Sequence, residues 1–222
     1  MKVVMSSLLI SFALLLPALA TGSEKNIMEE HHGLNPKQQS IVAIAAFTAA
    51  GDIDRLKPSL NQGLNSGLTI NEINEVLVQM YAYAGFPRSL NGINAFMAVV
   101  EERKARGIED ERGREATPVP ENLDKDDYGA RVRARLAGME TIPPPAGYQV
   151  FSPIVDTFLK EHLFADIFAR DVLTHQDREL ATIAALSNMN GTAGQLYFHF
   201  GAALNSGLTE GQVKDFILVL ES

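Results

Sequence analysis

The chain has no cysteine and no tryptophan among its 222 residues. The absence of cysteine excludes disulfides, thiolate metal centres, iron–sulfur clusters and thiol redox chemistry together. A basic excess is missing too: 19 Lys and Arg stand against 27 Asp and Glu, for a formal charge of -8. A nucleic-acid surface needs clustered positive charge to neutralise phosphates, so nucleic acid is not an expected partner. Period-two runs of β-branched residues are also lacking, which points to an all-α fold. Apolar residues make up 46% of the chain and charged ones 21%, a balance suited to a globular core. The length fits one or two domains.

Residues 1–20 read as a secretory signal peptide. Lys2 is the one early charge, and an apolar run from Leu8 to Leu16 follows. Pro17 and the small-x-small triplet Ala18-Leu19-Ala20 then mark a cleavage site after Ala20. An uncleaved anchor is the alternative, because Val3 to Ala20 is just long enough to span a bilayer. Export of a disulfide-free protein suits a bacterial periplasm. No membrane contact is expected after cleavage.

The remaining chain contains a repeat. GLNSGLTINEINEVLVQM (63–80) faces ALNSGLTEGQVKDFILVL (203–220), with Leu-Asn-Ser-Gly-Leu-Thr identical in both. Upstream, Ile44-Ala45-Ala46 meets Ile183-Ala184-Ala185, and Gly51 meets Gly191 once one extra residue near Asn190 is allowed. Two copies imply a duplicated helical unit rather than a solenoid. The spacing predicts a first helix over 40–50 and 179–189, and a second over 53–65 and 193–205. A third begins after Thr69 and Thr209, where Glu72 and Gln212 complete capping boxes. A fourth is expected over 88–106, then helices over 128–139 and 155–169. The first repeat thus covers 34–107. Residues 108–127, charged and proline-containing, form a linker or surface loop. The second repeat covers 128–222, and it stops inside its third helix.

Three strings carry a family resemblance: LTHQDRELATIAAL (173–186), GTAGQLYFHFGAALNSGLT (191–209) and EVLVQMYAYAGFPRSLNG (75–92). FARDVL (168–173) and GARVRARLAGME (129–140) add to it. Together they resemble the carboxymuconolactone decarboxylase family, which shares the alkylhydroperoxidase D-like helical fold. The resemblance implies two tandem repeats of that fold, the second truncated. The redox branch of the family uses Glu, Cys-x-x-Cys and His. On this chain those positions fall on Glu179, Thr192, Gln195 and His199, so thiol peroxidase chemistry has no nucleophile. The decarboxylase branch implies loss of CO₂ from a carboxylated unsaturated lactone without metal or cofactor.

His199 is accordingly the candidate proton donor, and Glu179 the carboxylate that orients it. Arg170 and Arg178 are candidates for binding a substrate carboxylate, although a solvated surface position is the plainer reading for each. Thr192 and Gln195 belong to the same expected substrate site. Copy one has Ser40 and Ser59 at the acid–base positions and lacks the pair. The Tyr83-to-Asn91 stretch of copy one is expected to supply the wall that copy two lost. His31-His32 beside Glu29-Glu30 has no spaced partner, so no metal site is assigned, and His162 and His175 have no recognisable partner. The function expected is a lyase acting on a small-molecule substrate. The alternative is a non-catalytic binding or assembly protein. Amphipathic helices with more than one apolar face imply a homo-oligomer, and the family resemblance makes a trimer the expected state.

Overall fold

The computed structural model describes residues 33–221, which are helical with no strand among them. The expected signal peptide and the His31-His32 pair lie outside the described residues. The helices are α1 (Pro36–Ala50), α2 (Ile53–Asn65), α3 (Ile70–Ala84), α4 (Phe86–Ala105) and α5 (Lys125–Leu136). Two short helices follow, α6 (Tyr148–Phe151) and α7 (Pro153–Thr157), then a π-helix (Phe158–Ile167). The last three are α8 (His175–Ser187), α9 (Ala193–Asn205) and α10 (Glu210–Glu221).

Local chemistry sets these boundaries. Asn35 and Gln38 form a capping box ahead of α1, with Pro36 in its first turn. Thr69 and Glu72 do the same for α3, and Thr209 and Gln212 for α10. Gly51, at φ 75°, ends α1 in the left-handed region that glycine enters without a steric cost. The counterpart helix ends earlier than expected: α8 stops at Ser187, and Asn188 caps it instead of Gly191. The helix expected over 155–169 begins as α7 and continues as the π-helix, a register that hydrophobic spacing does not reveal.

Helices α1 and α8 pack along each other at the centre. Both are buried nearly all round: Leu180 to Leu186 form one unbroken enclosed run, and Ala45, Ala46, Ala49, Ala181, Ala184 and Ala185 let the backbones approach. The repeats then pack crosswise. α3 of copy one lies on α8 of copy two, and α10 of copy two lies on α1 of copy one. Ile73, Val76, Leu77 and Met80 of α3 are fully enclosed, each worth about 1.5–3 kcal/mol in water-to-core transfer. One apolar cluster runs through both repeats. A second joins α5, the π-helix and α9 through Val132, Leu136, Phe164 and Phe168.

The 108–127 segment is a surface strap. The carbonyls of Glu111 and Arg112 accept from the backbone N–H groups of Ile70 and Asn71 at 2.9 Å each, satisfying donors that the first turn of α3 leaves free. Arg103 and Asp110 fasten its start with a buried ion pair at 2.8 Å.

Candidate active site

Thr174 caps α8 through the backbone N–H of Asp177, which places Arg178 and Glu179 in the next turn, inside the core. The turn after α8 is closed by the Thr192 hydroxyl, which donates to the carbonyls of Leu186 and Met189 at 2.8 and 3.1 Å. The chain returns as α9, and an antiparallel pair results. Glu179 and His199 come level across it: His199 Nδ1 and Glu179 Oε2 are 2.7 Å apart. Glu179 is fully enclosed and His199 is 5% exposed. His199 Nε2 makes no hydrogen bond with the described residues and is not among the enclosed unpaired atoms. Glu179 therefore fixes the ring and the proton on Nδ1, and Nε2 is the nitrogen left for a ligand.

Two rings wall the imidazole edge-on. Phe198 stands 5.1 Å from it between centroids, and Tyr83 stands 5.6 Å away at 78°. Tyr83 lies in the last turn of α3 of the first repeat, so the expected cross-repeat wall reaches the site through this residue. The rest of that stretch turns elsewhere: Phe86 stacks on Tyr81, and Ser89 donates to the Leu77 carbonyl.

Arg178 is not a surface residue. It is fully enclosed; its Nη1 donates to Gln79 Oε1 at 2.9 Å and its Nη2 to Glu75 Oε2 at 3.1 Å and to the Arg170 carbonyl at 2.6 Å. Both terminal nitrogens are thus engaged, which closes off two-pronged capture of a substrate carboxylate. Arg170 is part exposed and also pairs with Glu75, its Nε donating at 2.9 Å. Gln79 Nε2 donates to the Arg178 carbonyl and to the Thr182 hydroxyl. Gln195 is exposed on α9, and the Thr192 hydroxyl is spent on the turn. In copy one, Ser40 binds the Pro36 carbonyl and Ser66, while Ser59 binds the Arg55 carbonyl, so the two serines do not meet.

Sequence reasoning missed Glu75 and Gln79. With Tyr83 they recur every fourth residue on α3, a stripe of polar groups at one helical spacing. His162 also has a partner that was not foreseen, Asp166 at 2.8 Å. Two opposing causes act on Glu75. Burial pushes its carboxyl up, and the Arg170 and Arg178 guanidiniums together bring it below its ordinary value. Burial, followed by the nearby Glu179 charge, holds the Tyr83 phenol well above its ordinary value, so it stays a neutral donor.

A helical chain with two repeats matches what comparison with known proteins finds. The model of the carboxymuconolactone decarboxylase family matches residues 16–98 and 153–222. The chain belongs to the carboxymuconolactone decarboxylase family. It is 37% identical over 70 residues to a 4-carboxymuconolactone decarboxylase of Acinetobacter baylyi, which covers 32% of this chain and 49% of that protein. It is 30% identical over 70 residues to an uncharacterised protein of Methanocaldococcus jannaschii, covering 32% of this chain and 65% of that protein. The chain therefore matches less than two thirds of each relative's length. In this family member Glu179 and His199 lie in the second repeat, and Tyr83, which packs on His199, lies in the first.

Proposed function

We propose that this family member is a cofactor-independent lyase that releases CO₂ from a small carboxylated lactone or a related acid. The observation that carries the reading is the buried contact of 2.7 Å between His199 and Glu179. The bond from carbon to the carboxylate breaks, CO₂ leaves, and the electron pair moves into the substrate's conjugated carbonyl. His199 then gives a proton from Nε2 to the carbanionic carbon and regains one from solvent. Charge supports an anionic substrate. Arg170 and Arg178 are balanced by Glu75 and Glu179, so a proton on His199 leaves one surplus positive charge that a carboxylate would neutralise. The low-polarity walls of Phe198 and Tyr83 favour loss of the carboxylate's charge. Of the two guanidiniums, Arg170 keeps one terminal nitrogen, Nη1, outside its bonds to Glu75, whereas Arg178 has both terminal nitrogens engaged, so Arg170 is the one assigned to a substrate carboxylate.

A specific observation favours the second reading, a binding or assembly protein that keeps the fold. Two clefts on the surface, one beside Arg133 and Lys160 and one beside Ile70 and Lys104, include neither Glu179 nor His199. The deciding experiment incubates the purified protein with 4-carboxymuconolactone and related lactone acids and measures CO₂. Release above the uncatalysed rate supports the lyase; silence across the series supports the binding protein.

The same proposal includes export and assembly. Cleavage after Ala20 gives a mature protein beginning at Thr21, and N-terminal sequencing of the exported protein reads this directly; a retained Lys2 contradicts it. Self-association, with a trimer as the expected state, is supported by large apolar side chains left in solvent. Phe151 is 93% exposed, Tyr197 84% and Leu218 63%.

A further inference from the structure

Asn-Gly occurs twice in the chain, at Asn91-Gly92 and at Asn190-Gly191. A glycine has no Cβ, so its backbone nitrogen can approach the side-chain amide of the asparagine before it. The fold treats the two dipeptides differently. Asn91 and Gly92 lie inside α4, where the Gly92 nitrogen is held in the helical hydrogen-bond ladder and Gly92 is buried against Leu77 and Thr48. Asn190 and Gly191 lie between α8 and α9, and both are exposed. Gly191 is at φ 81°, and nothing stands within 4 Å of the place a Cβ would take. Neither the Gly191 N–H nor the Asn190 side-chain amide makes a hydrogen bond among the described residues. The nearby Asn188 differs: its Nδ2 is tied to the Ala184 carbonyl at 2.9 Å.

We propose that Asn190 is a deamidation site that this fold leaves open, and that isoaspartate formed there loosens the turn that sets Glu179 level with His199. The Gly191 backbone nitrogen loses its proton to base in the solvent and attacks Cγ of the Asn190 side chain. The new C–N bond closes a cyclic imide, and the side-chain nitrogen takes up a proton and leaves as ammonia. Water then adds to one of the two imide carbonyls. Opening on one side gives aspartate, and opening on the other carries the main chain through Cγ as isoaspartate. One water is consumed and one ammonia released, with no oxidant or cofactor.

Isoaspartate adds a methylene to the main chain of the turn. The Thr192 hydroxyl closes that turn on the carbonyls of Leu186 and Met189, at 2.8 and 3.1 Å, and Asn190 lies inside the closed loop. A longer main chain there displaces Thr192 from these carbonyls and shifts the start of α9. The contact of 2.7 Å between His199 and Glu179 depends on the register of α8 and α9, so the modification reaches it through the backbone. The consequence for chemistry rests on that pair being the reacting centre; the modification itself does not.

The test warms the purified protein at pH 8, folded and in concentrated urea, and reads digested peptides by mass spectrometry and isoaspartyl methyltransferase labelling. In the folded protein the Asn190 peptide is expected to convert to aspartate and isoaspartate at least about tenfold faster than the Asn91 peptide, whose helix must first open. In urea both peptides react at similar rates. An Asn190 that stays intact in the folded protein, or that reacts there no faster than Asn91, overturns the site. The isoaspartate form, separated by ion exchange, is expected to have a lower urea midpoint than both the unmodified protein and Asn190→Asp, which carries the charge without the longer main chain. A midpoint equal to that of Asn190→Asp overturns the effect on the turn. Failure of the lyase reading shows separately, as absence of CO₂ release from 4-carboxymuconolactone by the unmodified protein.

Discussion

Glu75 of the first repeat accepts a hydrogen bond from Arg178 of the second at 3.1 Å, with both side chains sealed in the core. The pair belongs to a polar chain that runs from Arg170 through Glu75, Arg178 and Gln79 to Thr182. This chain crosses the contact between α3 and α8, so it joins the first repeat to the helix that carries Glu179. Desolvating such a pair is costly, and the extra bonds from Gln79 and Arg170 offset that cost.

Glu75→Ala strands the Arg178 guanidinium in the core. The expected loss of stability is about 3–5 kcal/mol, read as a fall in the urea midpoint. A change below about 1 kcal/mol, the value typical of an exposed pair, contradicts the buried pairing.

The same carboxylate gives the fold an acid limit. Glu75 has its folded-state value held below the ordinary 4.5. A carboxylate lowered in this way contributes stability that is fully present above its unfolded value and is lost as pH falls through the lower folded value. Wild type is expected to lose stability on acidification below about pH 4.5, and Glu75→Gln to lose less over that window. Urea midpoints measured from pH 7 to pH 3 check this; parallel curves for the two proteins contradict it.

Gly129 on α5 tests the contact with the π-helix. A Cβ there would collide with the carbonyl oxygen of Lys160, which is backbone and cannot swing aside. Gly129→Ala is expected to cost at least about 1–3 kcal/mol by overpacking, measured by thermal or urea unfolding. An unchanged or raised midpoint contradicts the close approach of α5 and the π-helix.

The proposed self-association is tested at the exposed apolar side chains of α9 and α10. Sedimentation of the mature protein at micromolar concentration is expected to show a species larger than the monomer. Tyr197→Glu and Leu218→Glu should shift it towards the monomer, because each places a charge on a surface that assembly would bury. A wild type that sediments as a monomer contradicts the proposal.

Much of this architecture could be read from the chain, and the reasons differ by residue. Thr69 with Glu72 and Thr209 with Gln212 mark helix starts by local chemistry alone, and the boxes form as read. Glu179 and His199 were paired through the family resemblance, and the short turn between antiparallel helices brings them level. Arg178 was misread because its exposure depends on a distant partner. An arginine beside a helix start is ordinarily solvated, and only the crossing of α3 over α8 encloses it and supplies Glu75 and Gln79. The π-helix escaped because its register is a matter of backbone hydrogen bonding that side-chain spacing does not encode. Thr192 was placed in the substrate site by its alignment with a cysteine, whereas its hydroxyl is committed to the turn carbonyls of Leu186 and Met189.

The central claim is that chemistry resides in the buried pair of the second repeat. Its most direct measurement is CO₂ release from 4-carboxymuconolactone, or from the lactone acid that proves active, by wild type, His199→Ala and Glu179→Ala. Each variant is expected to fold and to lose at least about a hundredfold in turnover, the usual contribution of a general acid or base. Ser40→Ala and Ser59→Ala, at the matching positions of the first repeat, should retain turnover. Full activity in both pair variants, with loss at Ser40 or Ser59 instead, contradicts the account.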